Sequence, residues 1–143
     1  MKALKILNQF SSFKALNQQL EHYTKNQQTK LAGDIFELAV KLYLQTNPKY
    51  RTKLKNVWLL KEVKENIKQK LNLPNEDEGI DLIAETYDKR YWAIQAKYRS
   101  DPRETLTLGG SGGLATFNSL AFSYCKNIAH GLVCTTVDKP PKK

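Results

Sequence analysis

The sequence predicts an α/β fold in which a mixed central sheet of about four strands is flanked by helices. In the first 45 residues, apolar side chains recur at every third or fourth position, which indicates amphipathic helices. Short runs rich in β-branched and aromatic residues follow, and these indicate strands. The order helix, helix, strand, hairpin, helix, strand suits a sheet covered by helices better than a bundle or a sandwich.

Two helical segments are predicted in the first third of the chain. Residues 2–22 carry leucine and phenylalanine at helical spacing, with a break near "FSSF", and form an N-terminal helical segment within residues 1–28. The second helix runs from about Thr29 to Gln45 and is apolar on most of its circumference, which predicts burial. Pro48 ends this helix, because the residue before a proline avoids the helical region.

The strands follow in order. "NVWLLKEV" has the composition of a strand, and the charged "KENIKQKLNLPNEDE" is predicted to be a surface loop or short helix. The runs "GIDLIAET" and "RYWAIQAKY" are joined by the short "YDKR", which predicts an antiparallel hairpin. After the turn-rich "RSDPRETLTLGGSGG", the stretch "GLATFNSLAFSYCKN" is helical in pattern, and "IAHGLVCTTV" predicts a short buried strand. The main domain is therefore placed at residues 29–138, with residues 139–143 as a linker or chain end.

Composition narrows the class of protein. Twenty-three basic residues against fourteen acidic ones give a net charge of +9, which favours contact with a polyanion such as nucleic acid. No apolar run approaches the roughly 20 residues that span a bilayer, and the N-terminus lacks the pattern of a signal peptide. The two cysteines imply neither a disulfide framework nor a zinc site, so we expect buried thiols in a cytoplasmic protein that does not contact a membrane.

The hairpin register decides whether three polar side chains meet. A three-residue loop, Tyr87 to Lys89, would oppose Asp81 to Gln95, and alternation would place Lys97 on the same face. A two-residue loop would instead turn the carboxylate of Asp81 to the other face. In the first register the carboxylate and the amide oxygen are hard donors suited to Mg²⁺ or Mn²⁺. The ammonium could hold a water or stabilise charge on a phosphate.

"GIDLIAE" followed after a short turn by "WAIQAK" resembles the PD-(D/E)xK nuclease superfamily, in the Mrr-like restriction endonuclease branch where the second acid is glutamine. The upstream "GDIFELAVKLYL" resembles the first core helix of that branch. The similarity extends from about Gly33 to Thr136 and is nearest to the N-terminal nuclease domain of type I single-polypeptide restriction–modification and helicase proteins. It implies a restriction endonuclease-like α/β core.

The resemblance also implies the roles of individual residues. Asp81 would be the principal ligand of Mg²⁺, for which Mn²⁺ would substitute, and Gln95 would fill the position of the second acid. The main-chain carbonyl of Ala96 would complete part of the coordination sphere, with Lys97 beside the attacking water. Glu37 would approach from the helix and contact the metal directly or through water. The implied reaction is hydrolysis of a phosphodiester bond in double-stranded DNA, which leaves a 5′-phosphate and a 3′-hydroxyl.

Each of these residues also has a simpler interpretation. Glu37 stands four residues before Lys41, the spacing of an ordinary helical ion pair. Asp81 could cap a turn after "NEDEG", and Lys97 could extend from the strand end to solvent. Glu85 is expected to be solvated or paired with a basic neighbour, a position that carries no catalytic prediction.

Three residues beyond the second hairpin strand are candidates for contact with DNA phosphates, namely Arg99, Arg103 and Ser111. The resemblance implies further domains in the parent protein, such as a helicase or translocase, a methyltransferase or a target-recognition region. Two other functions stay open at this point: a non-catalytic DNA-binding or docking module with the same fold, and a structure-specific repair or junction nuclease. His130, which lacks a metal-ligating partner at suitable spacing, is predicted to be structural.

Overall fold

The structure, a computed structural model, describes His22 and residues 29–73, 79–98, 117 and 119–135. The predicted N-terminal helices at residues 2–22 lie outside the described residues, apart from His22, which is in a helical turn. The glycine-rich loop, Arg99, Arg103, Ser111 and the C-terminal linker also lie outside them. The predicted domain boundaries therefore stay predictions.

The first described helix, α1 (Thr29–Thr46), confirms the second predicted helix to within one residue. Its apolar side chains Ile35, Phe36 and Leu44 are buried against the sheet, as expected for a helix with little polar surface. The Asn47 side chain accepts a hydrogen bond from the Lys49 N–H at 3.0 Å and caps a short helix, α2 (Pro48–Arg51). This reversal of direction leads the chain into the sheet.

Four strands form one mixed sheet, as the sequence predicted, and their order in the sheet is β1-β2-β3-β4. The strands are β1 (Leu54–Leu59), β2 (Leu82–Thr86), β3 (Tyr91–Lys97) and β4 (Ile128–Thr135). β1, β2 and β3 pair antiparallel, whereas β4 runs parallel to β3. Between β1 and β2 lie a 3₁₀ turn (Leu60–Glu62) and a short helix, α3 (Glu65–Leu71), and a π-helical turn (Leu120–Tyr124) precedes β4.

The sheet is buried on both faces. One core joins α1 to the sheet face that carries Leu82, Ala84 and Ile94. The second core covers the opposite face, where Ile83 and Ala93 pack with side chains from α3 and from the segment before β4. Phe117 belongs to this second core, and Trp58 packs against it. A sheet with apolar side chains on both faces is typical of α/β folds.

Two details differ from the expectations. The first strand ends at Leu59 rather than continuing to Val63, because residues 60–62 turn into the 3₁₀ segment. The last strand is only partly buried, with Ala129 and His130 exposed, so the prediction of a buried strand was wrong. Within the described residues, no helix combines the length and the apolar character that crossing a membrane requires.

Candidate active site

The turn between β2 and β3 sets the register of the hairpin. The Thr86 N–H donates to the Arg90 carbonyl at 2.8 Å, and the Arg90 N–H donates to the Thr86 Oγ1 at 2.8 Å. Lys89 takes the left-handed conformation, with φ at 65°. A three-residue loop whose last residue is left-handed is a common hairpin connection, so the loop is Tyr87 to Lys89, as predicted.

This turn sets the register of the strands that lead to Asp81 and Gln95. Leu82 pairs with Ile94 and Ala84 with Trp92, and Asp81 and Gln95 are the next residues toward the open end of the hairpin. The three-residue register, on which the proximity of these polar groups depends, is therefore confirmed. Asp81 is 9% exposed and Gln95 is fully buried.

At Asp81 the backbone leaves the regular pleat. The Asp81 N–H donates to the Ile94 carbonyl in β3 at 2.9 Å, whereas its carbonyl accepts from the Leu60 N–H at 3.0 Å on the β1 side. In a regular strand both groups of one residue point to the same neighbour. Irregularities of this kind re-aim side chains, and here the Asp81 Oδ2 accepts a hydrogen bond from the Ala96 N–H at 2.7 Å. The Asp81 carboxylate thus takes the place of a backbone partner for β3 beyond the end of β2.

Gln95 is the most unusual residue of the site. Its side chain has no exposed surface, and among the described residues neither its Oε1 nor its Nε2 has a hydrogen-bond partner. Burying an unpaired amide costs about 1–3 kcal/mol, so native proteins rarely keep one without a reason. This amide belongs to the residue directly before Ala96, whose N–H binds the Asp81 carboxylate.

Ala96 and Lys97 complete the end of β3. In a regular strand the carbonyl of a residue points to the same side as its N–H, which places the Ala96 carbonyl toward Asp81. The Lys97 side chain alternates onto the same face as Gln95 and is half-buried. The strand end therefore carries a carbonyl directed toward Asp81, together with an amide and an ammonium on one face of the sheet.

Helix α1 passes the same end of the sheet. The Lys41 Nζ lies 2.8 Å from the Glu62 Oε1, just beyond the end of β1, and the Phe36 ring packs on Tyr98, just beyond β3, with 6.0 Å between ring centroids. Glu37 lies next to Phe36 and one helical turn, about 6 Å, before Lys41. Its side chain is half-buried, and α1 lies on the sheet face that carries Leu82 and Ile94.

The contact of Lys41 with Glu62 bears on the simpler interpretation of Glu37. Lys41 forms a short ion pair with Glu62, which is 21 positions away in the sequence. A helical pair with Glu37 is therefore not the whole role of Lys41. Burial raises the pKa of Glu62. The Lys41 ammonium and the Leu59 N–H, which donates to the carboxylate at 2.8 Å, lower the pKa by more, so the pKa lies below its ordinary value. This pair was not predicted, because its partners are distant in sequence and neither belongs to a motif.

The contacts of Glu85 and His130 can be compared with what the sequence predicted for these two residues. Glu85 accepts hydrogen bonds from the Asn56 amide at 2.9 Å and the Tyr91 hydroxyl at 3.5 Å, so it is paired with neutral groups, and the expectation of solvent or a basic neighbour was wrong. Burial raises the pKa of the Tyr91 hydroxyl, and the charge of Glu85 adds to this. His130 packs its ring on Trp92 with 4.7 Å between centroids and lies within β4, not at a turn before it.

The donor set fits a hard divalent cation better than a soft one. Within the described ranges, no group of three or more histidine, cysteine or acidic side chains is positioned to hold a metal ion. The candidate donors at this end of the hairpin are the Asp81 carboxylate, the Gln95 amide and the Ala96 carbonyl. Helix α1, which carries Glu37, covers the sheet face of Ile94, whereas Gln95 alternates onto the other face. Oxygen donors of this kind suit Mg²⁺ or Mn²⁺, and the Gln95 amide, which has no hydrogen-bond partner among the described residues, fits a position beside such an ion.

A four-stranded mixed sheet with a carboxylate and a glutamine–alanine–lysine strand end defines a restriction endonuclease-like protein. A family model described as restriction endonuclease, of the Mrr catalytic type, matches residues 45–143. The chain therefore belongs to the Mrr-type restriction endonuclease family, as the sequence motifs indicated. The matched region includes Asp81, Gln95 and Lys97 and begins after Glu37.

One solved structure supports this assignment. The chain is similar to an ATP-dependent Type ISP restriction–modification enzyme, LlaBIII, solved bound to DNA, with 30% sequence identity and a TM-score of 0.52. The similarity covers 76% of this chain but only 6% of that enzyme, so this chain corresponds to a small part of a much larger protein. No curated protein sequence matches the chain.

Proposed function

We propose that this chain is a metal-dependent DNA endonuclease domain and the cleavage module of a restriction–modification or helicase-linked protein. The observation that carries the proposal is the Gln95 amide, which is fully buried and has no hydrogen-bond partner among the described residues, in a chain of the restriction endonuclease family. A polar group kept at a cost to stability is typical of a functional site. DNA as the substrate and further domains as partners are proposed from the DNA-bound multidomain relative.

In this proposal Asp81, Gln95 and the Ala96 carbonyl would hold Mg²⁺ or Mn²⁺, with Glu37 contributing from the helix. The bound cation would supply Lewis-acid stabilisation of the charge that develops on the scissile phosphate. The Ala96 N–H orients the Asp81 carboxylate through the 2.7 Å hydrogen bond, so the ligand is fixed before any cation arrives. Lys97 would place its ammonium against the phosphate and the attacking water, where it stabilises negative charge.

The test is a nicking assay on supercoiled plasmid, with Mg²⁺ or Mn²⁺ and with EDTA as the blank. Asp81→Ala and Lys97→Ala should each lower the nicking rate by about 10²-fold or more, the size of effect expected when one group that stabilises the transition state is removed. Matched controls are Asp34→Ala and Lys55→Ala, since both side chains are exposed. Equal nicking by all five proteins would show that the assigned residues do not catalyse the reaction.

Glu37 needs a separate test, because its role rests on the position of α1. Glu37→Gln removes the charge and keeps the size of the side chain, and it should lower both the nicking rate and the apparent affinity for Mg²⁺. Glu65→Gln, on the exposed first turn of α3, is the control. An unchanged Mg²⁺ dependence in Glu37→Gln would remove this residue from the site and leave the assignment of Asp81 standing.

A further inference from the structure

A pocket lies at the end of the hairpin opposite to Asp81. It has a volume of about 490 Å³ and is bounded by the turn between β2 and β3 and by the start of β4. Asp81 and Thr86 are five residues apart along the strand, so the pocket is about 17 Å from the candidate active site. We call it the turn-end pocket; its charged and aromatic lining consists of Lys53, Tyr87, Asp88, Arg90, Trp92 and His130.

One wall of the turn-end pocket is aromatic and held in place. The His130 ring lies against Trp92 with 4.7 Å between centroids, and Tyr50 contacts Trp92 edge-on at 6.4 Å. Trp92 is therefore fixed from two sides, and His130 presents an exposed ring in front of it. Tyr87, on the turn, is 63% exposed. Flat, exposed rings on a rigid support are the surfaces on which nucleobases stack.

The remaining lining is mostly cationic. Lys53 and Arg90 are exposed cations, and the acidic group among the lining residues is Asp88. Asp88 contacts the Nε of Arg90 at 3.4 Å, and a guanidinium has further N–H groups that can donate to phosphate. A neighbouring hollow that shares Arg90 adds Lys70 and Lys89, so positive charge dominates this end of the sheet.

We propose that the turn-end pocket binds a phosphorylated nucleoside. Lys53 and Arg90 hold the phosphate, the base stacks on His130 and Tyr87, and the Asp88 carboxylate accepts a hydrogen bond from a ribose hydroxyl or a base amine. The volume is within the roughly 300–1,000 Å³ of small-molecule sites. The ligand is either a free nucleotide or a nucleotide within a single strand, since both offer the same chemistry. The pocket uses no residue of the candidate active site, so this proposal does not depend on nuclease activity.

Trp92 provides a direct probe of binding. The chain has two tryptophans, and Trp58→Phe leaves Trp92 as the single tryptophan, which is excited selectively at the red edge of the absorption band. This protein is titrated in EDTA with AMP, with ATP and with a short single-stranded oligodeoxynucleotide, and calorimetry on the unsubstituted chain repeats each titration. We expect saturable quenching. Tyr87→Ala should weaken binding by about 5- to 150-fold, the range for loss of one stacked base, and Arg90→Ala should also weaken it.

The controls separate a built site from general attraction to charge. Tyr43→Ala removes a tyrosine of similar exposure on α1, and Lys64→Ala removes one exposed cation elsewhere. Binding of AMP and ATP that only the pocket variants weaken identifies a free nucleotide, and the same pattern with the oligonucleotide alone identifies a strand. The proposal fails if no titration saturates, if tripolyphosphate competes as well as ATP, or if control and pocket variants lose affinity equally.

Discussion

Replacement of Gln95 by leucine should make the folded protein more stable while abolishing cleavage. The Gln95 side chain is fully buried, and neither its Oε1 nor its Nε2 has a hydrogen-bond partner among the described residues. The folded state therefore bears the desolvation of this amide, which is about 1–3 kcal/mol. Leucine has a similar volume and no polar atom, so it removes that cost without opening a cavity. The midpoint temperature of thermal unfolding should rise by roughly 3–10 °C for a chain of this length.

The assay is chemical and thermal unfolding in EDTA, followed by circular dichroism. Gln69→Leu is the matched control, because Gln69 is exposed on α3 and its replacement should change stability by less than about 0.5 kcal/mol. Repeating the unfolding experiment with Mg²⁺ separates the effect of cation binding on stability from the effect of side-chain packing. The unsubstituted protein should gain stability as the cation concentration rises, whereas Gln95→Leu should gain much less.

Two results would refute this reasoning. If Gln95→Leu destabilises the protein in EDTA by more than about 1 kcal/mol, the amide is hydrogen-bonded in the folded state and serves structure. If the variant nicks plasmid at the original rate, the amide does not contribute to the site whatever its effect on folding.

The other predictions concern the hairpin turn and the ion pair of α1. Lys89→Gly should stabilise the protein by about 1 kcal/mol, because φ at 65° strains any residue with a Cβ, and Lys89→Ala should give no such gain in urea unfolding. Deletion of Asp88 should leave a two-residue loop and abolish nicking while circular dichroism still reports a folded sheet; retained nicking would show that the register tolerates the deletion. The folded-state pKa of Glu62 is lowered, so the stability that the pair with Lys41 provides is present above about pH 4.5 and is lost as the pH falls through the folded pKa. Glu62→Gln should flatten this acid limb, and an unchanged limb would contradict the assignment.

Much of the fold was predictable because its signals are local. The hairpin was predictable from two apolar runs and a short polar turn, and α1 from its periodicity; both lie where they were expected. The site needed one further piece of information, the loop length, which the sequence left as two alternatives. The hydrogen bonds of Thr86 and the left-handed Lys89 decide between them.

What the sequence could not show arises from tertiary contacts. The pair of Lys41 with Glu62 joins residues 21 positions apart, and only the folded chain reveals that it holds α1 over the end of β1. The isolation of the Gln95 amide is likewise invisible in the sequence, where any glutamine can be assumed to find a partner. His130 gave no useful pattern either, because its stacking on Trp92 depends on the parallel pairing of β4 with β3.

The two apolar faces of the hairpin have a consequence for the register in which β2 pairs with its neighbours. Because Leu82 and Ile83 are both fully buried, on opposite sides of the sheet, a shift of β2 by one residue exchanges one buried apolar side chain for another. Such a shift also carries Asp81 or Glu85, depending on its direction, into a position that is apolar and buried, and an unpaired buried carboxylate is costly. The two acidic residues that bound the apolar run of β2 therefore oppose the shift together with the three-residue turn.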